Sequence, residues 1–76
     1  MIKLWEGHLA GTFEGHAPGR IHILPDGSYW IQVCQTVERA QHRGPWASLL
    51  RARADGEIFL EVDGVAGRVQ VRRVGE

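Results

Sequence analysis

Apolar and polar residues alternate along the chain in short pieces, separated by glycine and proline at intervals of five to nine residues, lengths that suit strands rather than helices. The alternation is clearest near the C-terminus. Ile58, Leu60 and Val62 fall on one face with Phe59 and Glu61 opposite, and after Asp63-Gly64 the valines Val69 and Val71 oppose Arg68, Gln70 and Arg72. A third strand carries Ile21, Ile23 and Leu24 and stops at Pro25-Asp26-Gly27, where proline presets a turn and glycine accepts a positive φ. The hairpin partner spans residues 28–36, with Tyr29, Trp30, Ile31 and Val33. Residues 46–53 read as a further strand ended by Ala54-Asp55-Gly56. One helical turn over residues 46–50 is the alternative, and it is too short to nucleate. Residues 37–44 lack a pattern and are predicted to be a loop crossing between two sheet halves. The expectation is an all-β fold of five or six short antiparallel strands curled into a small barrel, which hides the edges of so short a sheet.

Length and charge narrow this picture. The 76 residues allow a single domain, residues 1–76, with a thin core. A hydrophobic fraction of 43% with 24% charged residues is that of a folding domain, not a disordered chain. The single cysteine, Cys34, excludes an internal disulfide and a four-thiolate zinc site, which fits a cytoplasmic chain. No apolar run reaches the length of a membrane span, and residues 1–6 have no signal-peptide core. An eight-residue near-repeat, Leu4 to Gly11 and Thr12 to Gly19, brings aromatic-Glu-Gly-His twice; two octapeptides cannot form a solenoid, so chance or two similar strand ends explain them.

The segments Gly11-Thr12-Phe13-Glu14-Gly15, Gly19-Arg20-Ile21-His22-Ile23-Leu24, Asp26-Gly27, Trp30-Ile31-Gln32, Pro45, Val62-Asp63-Gly64 and Val69-Gln70-Val71-Arg72-Arg73-Val74 resemble a set of short, uncharacterised bacterial proteins with an SH3-like barrel. The resemblance covers roughly residues 9–74 and implies a fold; it carries no catalytic residues. The relatives have a tyrosine-rich segment before the proline, where this chain has the polar, basic residues 34–44.

Candidate chemistry is sparse. Four histidines, His8, His16, His22 and His42, include two i, i+2 pairs with Glu6 and Glu14, yet no metal-ligand spacing accompanies them, and they are expected to be solvated turn residues. Cys34, Ser28 and Ser48 lack a nucleophile signature, Asp26, Asp55 and Asp63 are explained by Asp-Gly turns, and no phosphate-binding loop occurs. No catalytic, metal or cofactor site is therefore assigned. Formal net charge is zero, but it is uneven: residues 1–38 carry two basic groups against four acids, and residues 39–76 seven arginines against five acids. Arg39, Arg43, Arg51 and Arg53, with Trp46 and His42, form an acid-free run from 39 to 53 suited to phosphate and base stacking. Tyr29 and Trp30 must face opposite ways, and Phe59 lies opposite its core-facing neighbours. The reading this supports is a noncatalytic interaction module, binding a protein partner or another copy of itself through Trp30, Phe59 and Trp46. A nucleic-acid-binding barrel using the arginines is the alternative.

Overall fold

A computed structural model describes residues 1–75. Eight strands follow in chain order: β1 (Ile2–His8), β2 (Thr12–His16), β3 (Ile21–Ile23), β4 (Tyr29–Gln32), β5 (Glu38–Arg43), β6 (Trp46–Arg51), β7 (Ile58–Val62) and β8 (Arg68–Arg73). Six form one sheet in the order β1-β6-β7-β8-β4-β3, and β2 pairs with β5 in a second; every pairing is antiparallel. The result is an all-β, curled and half-closed sheet around one core. Leu49, Leu60, Val62, Val69, Val71, Trp30 and Ala47 come from the large sheet, while Phe13, Leu9 and Leu24 close over them. Leu60, Val62, Val69 and Val71 are the inward residues that alternation predicts, and Ile58 is half-buried at the margin.

The strand count exceeds the expected five or six because β1 and β2 form over residues whose pattern assigned no strand, and because residues 37–44 are not a loop. Their residues 38–43 form β5, in which only Ala40 is even half-covered, so no hydrophobic period marks it. Its pairing with β2 is decided by close backbone approach at Gly15, which follows a register shift after Phe13. A Cβ on Gly15 would lie 2.0 Å from the Glu38 carbonyl oxygen, and its φ of 106° is in glycine territory. The near-repeat proves to be two strand ends, with His8 closing β1 and His16 closing β2. The strand at residues 46–53 forms as β6 over Trp46–Arg51.

β4 is shorter than residues 28–36 because Gln32 turns the chain. Its side-chain amide, in a residue 1% exposed, donates to the carbonyls of Cys34 (3.1 Å) and Thr36 (2.7 Å), and the ladder ends where Val33 N donates to Gln70 O at 3.0 Å. The β3–β4 turn is built as read from Pro25-Asp26-Gly27. Asp26 Oδ1 accepts from the Ser28 amide (2.8 Å) and hydroxyl (2.6 Å), and Gly27 takes a φ of 88°. Those bonds hold the Asp26 carboxyl below its usual pKa, the Ser28 hydroxyl being the largest cause.

The same serine reaches the core, since its Oγ accepts the Trp30 indole N–H at 2.9 Å. Ser28→Ala removes the acceptor of a buried donor, so a loss of about 2 kcal/mol is expected in urea unfolding. A loss below about 0.5 kcal/mol would show that the indole finds water instead.

Candidate functional site

Trp30 is not at a rim. It is 8% exposed, opposite buried His22 in the β3–β4 ladder, and Tyr29 is the outward member of the pair at 48%. This corrects the assignment of Trp30 to a binding surface: the Ser28 hydroxyl gives the indole a partner inside, so the larger ring is hidden. Phe59 lies on the outer face opposite Leu60, half-covered, beside Leu50 and Gln70 across the ladders. Trp46 is exposed on the same face, its ring edge-to-face with His8 at 5.1 Å, while His8 Nδ1 hydrogen-bonds with the Gly44 carbonyl at 2.7 Å. A polar row, Ser48, Glu61 and Arg68, separates Trp46 from Phe59, and Arg68 Nη2 lies 3.5 Å from Glu61 Oε2. The structure thus keeps Phe59 and Trp46 on one face, not in contact across that row, and sends Trp30 to the other.

Residues that the sequence reading passed over extend this face. Ile21 pairs with Ile31 and Ile23 with Tyr29, and the two exposed isoleucines stand at 49% and 47%. Val33 and Val74 continue the apolar surface from strand ends. The signal was Ile-His-Ile itself, which places two isoleucines on one face and a histidine on the other. The hairpin register puts His22 opposite Trp30, and because Trp30 must be inside, His22 follows it in.

All four arginines of the basic run are exposed, and they are spread over β5, β6 and the turn after it. Arg39 and Arg43 lie on β5 opposite Gly15 and Thr12. Arg51 is at the far end of β6 from Trp46, a separation of about 16 Å along a six-residue strand, and Arg53 lies beyond it.

The histidines divide two and two. His8 and His42 are exposed, whereas His16 (1%) and His22 (7%) are buried, correcting the expectation of four solvated turn histidines. Phe13 holds them together: its ring is stacked on His22 at 5.6 Å and edge-to-face with His16 at 5.2 Å, and the imidazoles are 6.2 Å apart. Burial pushes His22 down to about 4, helped by the positive charge that His16 or Arg20 would place beside it. Burial also lowers His16, with Glu38 opposing and Arg20 adding to the shift. Both rings are neutral at pH 7, and His22 Nε2 and both His16 nitrogens are sealed from solvent without a hydrogen-bond partner. Among the described residues, no group of three or more His, Cys, Asp or Glu is placed to hold a metal ion. Cys34 is half-buried against the core, its thiol 3.7 Å from Thr36 Oγ1.

Above the Phe13–His22 pair lies a cleft of about 390 Å³ between residues 9–14 and residues 20–23. It occupies the seam where the curl fails to close, because β2 pairs only with β5 and β3 only with β4. Arg20 stands at this seam, its Nη1 donating to the Gly15 carbonyl at 3.0 Å.

No family model matches the chain, and no solved structure matches it. Fold and surface together define a small all-β domain with an apolar cluster on the outer face of β3 and β4 and an open seam. Among the described residues no helix is long and apolar enough to cross a membrane.

Proposed function

We propose that the chain is a noncatalytic interaction module that pairs with another copy of itself through the outer face of β3 and β4. The observation that carries this reading is the exposure of Ile21, Ile23 and Tyr29 together on the outer face beside Ile31, with Arg72 and Gln70 of β8 standing between this cluster and Phe59. Contiguous exposed aliphatic and aromatic side chains are costly in water and are the usual mark of an interface. A two-fold arrangement brings the same patch to itself and needs no second surface. It also supports a thin core, since association stabilises the folded state by mass action. The half-closed curl and the motif resemblance are compatible with an SH3-like barrel, and the lone thiol with work in the cytoplasm.

The nucleic-acid alternative uses Arg39 and Arg43 on β5 with Arg51 and Arg53 at and beyond the end of β6. Light-scattering mass on a sizing column, at low and high salt with absorbance at 260 and 280 nm, separates the two readings. A dimer or larger species at both salts is expected, with Ile23→Glu reducing it to a monomer and Phe59→Ser weakening it. A monomer at both salts for the unmodified chain would overturn self-association. Material absorbing at 260 nm that leaves at high salt would move the assignment to nucleic acid.

A further inference from the structure

The edge of β3 that faces away from β4 is open. Leu24 N donates to Ser28 O and Gln32 N to Arg20 O, both at 2.9 Å, so Leu24 and Arg20 direct main-chain groups toward β4. Main-chain direction alternates along a strand, which turns His22 the same way and leaves the N–H and C=O of Ile21 and Ile23 pointing outward from the sheet edge. Those two residues line the cleft, and residues 9–14 form its other wall. Its floor is the stacked Phe13 and His22 pair. Four unpaired main-chain groups beside an apolar floor are what an added strand requires, and neither lysine nor proline within β3 guards this edge.

Charge completes the picture. Arg20 lines the cleft and belongs to neither of the ion pairs found among the described residues. Glu14, exposed, stands on the opposite wall. A negative group beside Arg20 meets a cation with no carboxylate of its own, at a point where His22 is uncharged.

We propose that this cleft binds an extended peptide by strand addition to β3, with a carboxylate of the peptide beside Arg20 and an apolar side chain over Phe13 and His22. The cleft lies within the range of small-ligand sites, about 300–1,000 Å³, at its lower end, so a short segment fills it. This site shares Ile21 and Ile23 with the outer face of the preceding section but uses their main-chain edge rather than their outward side chains, so the titration and the sizing column read the two separately.

Main-chain hydrogen bonds supply the affinity in strand addition, so a generic extended probe tests it. The probe is acetyl-Val-Thr-Val-Thr-Val with a free C-terminal carboxylate, titrated into the ¹⁵N-labelled full chain. Shifts are expected at Ile21, Ile23 and Phe13, and at about ten times Kd the exchange of the Ile21 and Ile23 amides slows about tenfold, because only about a tenth of the edges remain free. The C-terminal amide of the peptide should bind about threefold more weakly, the loss of one exposed charge pair. Arg20→Gln should remove that difference between acid and amide, and a peptide methylated on every main-chain nitrogen, so that neither edge can donate, should not bind. The acid, amide and methylated comparisons on the unmodified chain decide the matter even where Arg20→Gln does not fold.

Shifts confined to Tyr29 and Phe59, equal binding of the methylated peptide, or no shift up to about 10 mM, where binding is weaker than about 3 kcal/mol, would each overturn the proposal. So would Ile21 and Ile23 amides already protected, in a concentration-dependent way, without peptide; that result would assign the edge to a second copy. A dimer with an empty cleft would leave the outer-face reading intact.

Discussion

Gly15→Ala should cost about 3 kcal/mol or more, enough to leave much of the chain unfolded at room temperature, since a small single-core domain has only a few kcal/mol to lose. The methyl group would stand 2.0 Å from the Glu38 carbonyl oxygen and 2.9 Å from the Ala40 nitrogen, both backbone atoms of β5 that no side-chain rotation can move aside. A φ of 106° adds strain for any residue with a Cβ. Gly27→Ala is the control. Its φ of 88° carries similar backbone strain, but nothing lies within 4 Å of the new Cβ, so about 1 kcal/mol is expected. Urea unfolding of both variants separates the collision from the torsion. Equal losses would mean that β5 does not press on β2 as described. Amide exchange adds a local reading, because β5 should lose protection first in any Gly15→Ala protein that remains folded.

Lowering the pH from 7 to 4 should remove roughly 3 kcal/mol of stability through His22 alone, from the difference between its ordinary value of about 6.5 and its folded value of about 4. The folded pKa is depressed, so below pH 6.5 the unfolded chain takes up a proton that the folded chain refuses. Stability therefore falls as the pH drops through this window, and the loss levels off below about 4, where folded His22 also protonates. His16 shifts in the same direction and adds to the loss. The carboxyls of Asp26 and Glu6 are also depressed, Glu6 chiefly by its bond with Lys3, and their contributions are lost only at lower pH. Above about 4.5 the response belongs to the buried imidazoles. His22→Leu replaces a ring with a sealed, unpartnered nitrogen by an apolar group, so it should be tolerated at pH 7 and should flatten the pH dependence. Should His22→Leu lose as much stability between pH 7 and pH 4 as the unmodified chain, another group drives the acid response.

Much of the architecture was legible in the residues. Val69 and Val71, Leu60 and Val62 are core residues because a period of two with one buried side admits no other arrangement. Pro25-Asp26-Gly27 makes its turn because its conformational preferences act locally, within four residues. Phe59 on the outer face follows from Leu60 inside. The strand at 38–43 was not legible, since an almost wholly exposed strand carries no hydrophobic period; its partner, and the space Gly15 leaves for it, lie more than twenty residues away. The outward isoleucines of β3 were equally hidden, because one residue's shift in register exchanges the two faces and only Trp30 across the ladder decides which is inside.

The candidate surfaces divide along the same line. Local pattern is enough to set an all-β chain, its turns, the four inward valines and leucines named above, the outward position of Phe59 and the exposure of one residue from Tyr29 and Trp30, since each follows from interactions a few residues apart. Long-range packing settles that Trp30 is the hidden one, that the arginines of residues 39–53 are spread over two sheets and the turn beyond, that His16 and His22 meet over Phe13, and that the curl stops short of closing between β2 and β3. Those outcomes depend on which distant strands share an edge, and pairing over such separations is settled by the packing of the whole core rather than by any local preference.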